Sequence, residues 1–367
     1  MVFCVAELDD ITLLHPRENP VLYGHDYAEK ELLDSFSEGR FPHGWLITGP
    51  QGAGKATLAY RIARFLLKGE GESGLFSGSN SDLDPSLEME TENSIFKSIA
   101  QKICPDLLVV EPDEAAGRKE ITVKEIRKIE HFLSHTASGS GWRVVIIDSA
   151  DNMNRHSANA LLKTLEEPPN KTAIILVSHS PGNLPATIRS RCRVLNLKPM
   201  ELNDVIKVME NTIPDLKEKE ARFAARISFG SPGLASEIYA MKGYSLYKKL
   251  LELLKGIPSL DVPAIYQLSE ALADKKNSGK WRVFIYMLSC LLAGAVKEKI
   301  KNNNESELIP GEEEVLSFLA NQHSVDHLTY LWEKVGHISA ETEHLHMDRK
   351  NASIQIFGYL REKSCNA

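Results

Sequence analysis

Through its first two hundred residues the chain alternates short apolar runs with stretches whose apolar positions recur every three or four residues. Five runs, at 45–48, 107–110, 143–148, 173–178 and 194–197, are apolar almost without interruption. Such runs predict strands covered on both faces, and the helical patterns between them predict a parallel sheet with helices on either side. Thr122-Val-Lys-Glu125 has the spacing of a capping box, and Ile126, Ile129 and Leu133 follow it on one helical face. Beyond Pro199 the strand-like runs stop. Helical periods continue, broken at Gly230-Ser-Pro-Gly233 and by a polar stretch at 301–314. The pattern predicts an α/β domain over 1–199, a small helical domain over 200–242 and an all-helical domain over 243–367.

Composition narrows the reading without redirecting it. At 367 residues, with 43% hydrophobic and 25% charged, the chain has room for several cores. A net charge of −7 confines any contact with nucleic acid to a local patch. The five cysteines are scattered and form no CxxC pair, so neither a disulfide framework nor a structural zinc site is expected, and a reducing cytoplasm suits them. The N-terminus carries Asp9 and Asp10 and no basic region, unlike a signal peptide. The longest apolar stretch, 284–296, is interrupted by Ser289 and falls short of the roughly 20 residues of a membrane span, so a buried helix is predicted. Residues 69–93, rich in Gly, Ser and acids, predict a surface loop.

Chemistry enters with Gly49-Pro-Gln-Gly-Ala-Gly-Lys-Ala-Thr57, which follows one predicted strand and opens a predicted helix. That context is what a phosphate-binding loop requires. Gly49, Gly52 and Gly54 would let backbone N–H groups turn toward phosphate oxygens, and Lys55 would neutralise them. The position after Lys55, normally Ser or Thr, is Ala56, which has no hydroxyl to offer Mg²⁺; Thr57 lies about 100° further round the helix. The run Val144-Val-Ile-Ile-Asp-Ser-Ala-Asp151 has the shape of the second half of such a site, with Asp148 placed to hold Mg²⁺. The next residue is Ser149, where a carboxylate would be needed to polarise an attacking water, a role typically worth about 10²–10⁴-fold in rate.

Asn159-Ala-Leu-Leu-Lys-Thr-Leu-Glu-Glu-Pro-Pro169 is an amphipathic helix, with Ala158, Leu161, Leu162 and Leu165 on one face, stopped by two prolines. As a string it resembles the gamma and delta-prime clamp-loader subunits of bacterial DNA polymerase III. So does Leu184-Pro-Ala-Thr-Ile-Arg-Ser-Arg-Cys-Arg193, and His15-Pro-Arg-Glu-Asn-Pro, Tyr23-Gly-His and Phe41-Pro-His-Gly-Trp are similar to the family's N-terminal elements. The resemblance implies an AAA+ domain with a five-stranded parallel sheet, a helical lid and a C-terminal helical collar. It implies an arc of subunits that opens a ring-shaped clamp and loads it on primed DNA, with gamma/tau and delta subunits, clamp and primer-template DNA as partners. ATP or ADP with Mg²⁺ is the implied ligand, and no membrane is involved. Lys55 and Asp148 match the two Walker positions, Ser178 falls where sensor 1 sits, and Arg191 matches an arginine finger acting on the neighbouring subunit's ATP, worth roughly 10³–10⁵ in rate in comparable NTPases. The sensor-2 arginine is replaced by Leu234, and the family's four-cysteine zinc module has a single cysteine in the corresponding stretch. Ala56, Ser149 and Leu234 all fall on the subunit's own hydrolysis, whereas Arg191 serves a neighbour. That asymmetry points to a non-hydrolysing stator of the family rather than a gamma-like motor that hydrolyses ATP itself. A small-molecule kinase, which would also use a phosphate loop, has no use for a Ser-Arg-Cys finger.

Other features read as plain surface. His131 and His135 share a helix face with no third ligand near in sequence. Lys124, Arg127 and Lys128 suit DNA phosphate and a solvated face equally, and His344 and His346 take no metal role.

Overall fold

The computed structural model describes residues 14–68, 86–112, 120–139, 141–257, 259, 261–274, 278–300, 309–345 and 347–361. The N-terminal segment 1–13, most of the loop expected over 69–93, most of the polar stretch 301–314 and His346 lie outside the described residues. Contacts divide the chain into two compact units, one ending at Asp204 and the other continuing from Val205.

The first unit is a sheet of five parallel strands in the order β2-β3-β4-β1-β5. The strands are β1 (Gly44–Thr48), β2 (Leu107–Val110), β3 (Arg143–Asp148), β4 (Thr172–Ser178) and β5 (Arg193–Asn196). Its helices are α1 (Asp26–Ser37), α2 (Lys55–Lys68), α3 (Ser94–Ala100), α4 (Val123–Leu133), α5 (Arg155–Glu166) and the single turn α6 (Ala186–Arg189). The strand period of two sorts the core into two layers. Trp45, Ile47, Val144, Ile146, Ile175 and Val177 face α1 and α2, where Leu32, Leu58, Ile62 and Leu66 cover them. Leu46, Val145, Ile147, Ile174 and Leu176 face the other way, against Ile126 and Ile129 of α4 and Leu161 and Leu165 of α5. Helix α4 begins at the predicted capping box, with Glu125 accepting from the Thr122 backbone N–H at 2.9 Å.

Uniform burial of the strands was expected and holds only for the inner three. In β5 Arg193, Val194 and Asn196 are exposed and Leu195 alone is buried, and β2 is buried only at Val110. Both are edge strands, so each lacks a neighbour on one side.

In the second unit the described residues carry helices and no strand: α7 (Leu202–Thr212), α8 (Glu218–Ile227), α9 (Pro232–Ala240), α10 (Gly243–Lys255), α11 (Val262–Ala273), α12 (Ser278–Ile300), α13 (Glu312–Gln322), α14 (Val325–His344) and α15 (Arg349–Arg361). The apolar stretch 284–296 lies inside α12, where Phe284, Leu288, Leu291, Leu292 and Ala295 are all buried. Arg282 of α12 pairs with Glu237 of α9, and the Tyr286 hydroxyl donates to the Ile227 carbonyl at 2.8 Å, so the segments before and after residue 242 belong to one unit. No helix among the described residues is long and apolar enough to cross a membrane.

Candidate functional site

Strand register decides which residues meet. Thr48 of β1 pairs with Ser178 of β4, and Asp148 of β3 pairs with Val177, so the carboxyl ends of three adjacent strands finish side by side. Neighbouring strands are about 4.8 Å apart, which brings the loop after β1 within reach of Asp148. In that loop Gly49, Gly52 and Gly54 all have positive φ, at 141°, 75° and 90°. At Gly49 the requirement is absolute in space as well, since a Cβ there would lie 2.4 Å from the Leu197 carbonyl oxygen. Helix α2 starts at Lys55, and its first-turn N–H groups have no partner within the helix.

Lys55 is 3% exposed, and its ammonium donates to the Gly49 carbonyl at 2.8 Å and to the Pro50 carbonyl. Burial pulls its pKa down to about 8, against the opposing pull of Asp148 and Asp151. The loop is braced from behind. His25, whose pKa is lowered by burial, hydrogen-bonds the Ala53 carbonyl through Nε2 at 2.9 Å. The Tyr27 hydroxyl donates to the Asn196 carbonyl at 2.7 Å and accepts from the Lys198 N–H at 3.0 Å, tying α1 to the end of β5.

At the end of β3, burial raises the Asp148 pKa. Ser149 is 1% exposed, and its hydroxyl is hydrogen-bonded to His179 Nε2 at 3.0 Å. Burial, reinforced by the Lys55 charge, holds the His179 pKa down at about 4, so the imidazole is neutral at physiological pH. Asp151 accepts from the Ser178 hydroxyl at 2.7 Å and from the N–H groups of His179 and Ser180 at 2.6 and 3.3 Å. The predicted sensor position Ser178 is thus fully buried with its hydroxyl turned to Asp151, and His179 is the group that reaches Ser149. Thr57 is buried within α2.

Arg191 lies just after α6, beside the last residue of α5. Its Nη2 is 2.5 Å from Glu166 Oε1 and its Nη1 donates to the Thr187 carbonyl at 2.9 Å. Leu234 stands in the first turn of α9, its N–H capped by the Ser231 hydroxyl at 3.3 Å, in the second unit. Among the described residues no three His, Cys, Asp or Glu side chains gather as a metal site, and His131 in the last turn of α4 and His135 just beyond it are exposed, with ring centroids 4.7 Å apart.

The structure therefore brings together Gly49, Gly52, Gly54, Lys55 and Asp148, and places Arg191 elsewhere on the same unit. His179 lies in none of the sequence motifs, and His25, Asp151 and Glu166 lie inside motifs that assign them no role at the site. Asp151 was visible as the acid closing the run from Val144, but its role as an acceptor for the end of β4 depends on strand order.

Comparison with known proteins agrees with this layout. The family model "DNA polymerase III, delta subunit" matches residues 24–201. The chain is 28% identical to the DNA polymerase III subunit delta' of Escherichia coli, covering 84% of this chain and 85% of that one. It is 27% identical to the delta' subunit of Pseudomonas aeruginosa, covering 76% and 79%. With the DNA polymerase III subunit gamma of Buchnera aphidicola it shares 32% identity, over 54% of this chain and 50% of that one. The chain thus spans about half the length of that gamma relative and more than three quarters of the two delta' relatives. With its phosphate loop, its parallel sheet and these matches, the chain is similar to DNA polymerase III subunits, and it is the delta' proteins that it follows over most of their length.

Proposed function

We propose that the chain acts as the delta' subunit, the non-hydrolysing stator, of a DNA polymerase III clamp loader in the cytoplasm. In this reading it joins gamma/tau and delta subunits, helps place the sliding clamp on primer-template DNA, and lends Arg191 to the ATP site of a neighbour. Residues 1–199 serve as the nucleotide-binding-like domain, 200–242 as a lid and 243–367 as the collar through which the subunit assembles.

The observation that carries it is the contrast between two places in the first unit. Where hydrolysis would need a metal-ligating hydroxyl there is Ala56, and where it would need a carboxylate there is Ser149, buried and bonded to a neutral His179. Arg191, by contrast, is a solvent-reaching guanidinium on the chain's surface.

The loop residues fit a nucleotide's phosphates. Its three glycines have the positive φ that turns N–H groups inward, and the buried Lys55 has only carbonyls as close partners, which a phosphate would outcompete for the ammonium. The residues fit Mg²⁺ poorly, because of the two acids near Lys55, Asp148 and Asp151, the second is taken up by the end of β4, and Ala56 offers no hydroxyl. A nucleotide bound here would be held and not turned over: Lys55 and the loop backbone bind it, and the position after Asp148 offers a serine hydroxyl bonded to His179 in place of a carboxylate.

The test reconstitutes the loader from its purified subunits with wild-type or Arg191→Ala protein. Gel-filtration size, ATPase turnover with DNA, and clamp-loading rate are measured. The expected result is an intact complex whose turnover falls at least ~10-fold, since a finger is worth roughly 10³–10⁵ where it acts alone. An intact complex with unchanged turnover rejects the role in trans. Turnover near ~1 s⁻¹ by the isolated chain, within the ordinary enzyme range, would favour a gamma-like motor instead.

A further inference from the structure

We propose that Glu166 is a positioning residue for Arg191: with the Phe41-Pro-His-Gly-Trp segment it forms a cradle that fixes the guanidinium before any neighbouring subunit arrives. The proposal rests on the reading of Arg191 as a finger acting in trans.

Three sequence segments converge on this point. His43 Nε2 is hydrogen-bonded at 2.8 Å to the Leu165 carbonyl, in the last turn of α5. Gly44 follows, and a Cβ on it would lie 3.1 Å from the Arg191 carbonyl oxygen, 3.4 Å from Cys192 Sγ and 3.4 Å from Leu165 Cδ2. A larger residue would push the end of α5 and the Ser190–Cys192 turn apart. With glycine they close, and Glu166 Oε1 comes within 2.5 Å of Arg191 Nη2. Burial of Cys192, whose thiol is pushed up to about 12, seals the turn from beneath.

The charges make sense only as a pair. Glu166 is the last residue of α5, where the carbonyl end of a helix repels a carboxylate. A cation beside it relieves that repulsion. Arg191 receives a second anchor, the Thr187 carbonyl, which belongs to the exposed carbonyl end of α6. The guanidinium is thus held at both Nη groups. An arginine carries five N–H donors in a rigid planar fork, so two anchors leave three free to meet phosphate oxygens. A free arginine side chain gives up rotamer entropy when it is immobilised, and a cradled one has done so already.

A merely structural ion pair half-open to solvent would hold the fold and do nothing for a neighbour's chemistry. The two roles separate in a double-mutant cycle on the reconstituted loader, with Glu166→Ala, Glu166→Gln, Arg191→Ala and Glu166→Ala/Arg191→Ala. DNA-stimulated kcat and KM for ATP and complex size are read for each. Glu166→Ala is expected to lower kcat about 3- to 10-fold with KM and complex size unchanged. Glu166→Gln, which keeps an acceptor oxygen, should recover part of the loss, and in the Arg191→Ala background Glu166→Ala should change nothing further. A rise in kcat would make Glu166 a restraint on the finger and overturn the proposal, as would no change. An equal loss in both backgrounds would place its effect elsewhere and overturn it too. If Arg191→Ala alone leaves kcat intact, the finger reading has failed and takes the cradle with it, a result distinct from each of the others.

Discussion

Gly49→Ala isolates the physical demand behind the phosphate loop. Two costs arise together. The first is conformational: at φ 141° an L side chain is held in a region it rarely occupies, at about 1–3 kcal/mol. The second is steric, because the new methyl would sit 2.4 Å from the Leu197 carbonyl oxygen. That carbonyl cannot retreat cheaply, since Leu197 is fully buried and its own N–H donates to the Thr48 carbonyl at 2.8 Å. Forcing the end of β5 away from β1 adds about 1–3 kcal/mol, the usual range for overpacking. The sum, ~2–6 kcal/mol, is a large part of the ~5–15 kcal/mol that stabilises a typical domain. Gly39→Ala supplies the control, because Gly39 has φ 66° with nothing within 4 Å of the added atom, so only the conformational cost applies, about 1–2 kcal/mol. Urea unfolding followed by tryptophan fluorescence reads both variants, Trp45 and Trp142 reporting on the first unit. At 2–4 °C per kcal/mol for a unit of this size, the thermal midpoint should fall by roughly 4–24 °C for Gly49→Ala and roughly 2–8 °C for Gly39→Ala. Equal losses in the two variants would refute the steric half of the reasoning.

The buried Lys55 gives a pH dependence with a definite sign. Its pKa is lowered to about 8, so nucleotide affinity should be flat below about 8 and weaken as the pH rises past it; Lys55→Ala should bind more weakly and lose that dependence, in titrations with a fluorescent nucleotide. The same shift costs stability below about 8, where the ammonium is buried charged, and that cost is relieved between about 8 and the ordinary lysine value of 10.5, so urea midpoints of wild type relative to Lys55→Met should rise over that window. In the second unit, Tyr247 donates to Glu312, with both side chains buried, so Tyr247→Phe should cost about 1.5–3 kcal/mol by urea unfolding; a loss under ~0.5 kcal/mol would mean that Glu312 is satisfied without it.

How much of this could be read from the sequence depends on whether the signal is local. Strand positions were legible because five apolar runs stand out against helical periods, and the boundaries are within a residue of those observed. The capping box at Thr122 and the loop at Gly49 were legible for the same reason: their hydrogen bonds and dihedral angles are set within a few residues. Burial of β2 and β5 was misjudged because strand order is not a local property, and only the order makes them edges. His179 and Asp151 escaped for that reason also. They lie 28 residues apart, and the pairing of β3 with β4 is what aims the Asp151 carboxylate at the His179 N–H. Glu166 lies inside a sequence motif, yet its partner lies 25 positions on, past β4.

A phosphate loop can outlast the chemistry it once served, and the packing around it explains why. Gly49 is required by the Leu197 carbonyl, Ala53 holds His25 and Lys55 satisfies two loop carbonyls, so each of these residues supports the fold whether or not a nucleotide is ever bound. Replacing them damages the sheet's carboxyl end. The positions that matter only for turnover are freer. A serine fits at Ser149 with a hydrogen bond to His179, and a methyl fits at Ala56, so both can drift away from hydrolysis at little structural cost. Motif strength in the loop is therefore evidence about folding first and about phosphate second, and Ala56 and Ser149 carry more information on hydrolysis than the glycines do. Arg191 is the opposite case. Its side chain reaches solvent, its anchors are one carboxylate and one carbonyl, and an exposed pair of that kind contributes about 0–1 kcal/mol to stability. The fold asks little of a guanidinium there, so replacing Arg191 should leave stability nearly unchanged while removing whatever the proposed role in trans contributes.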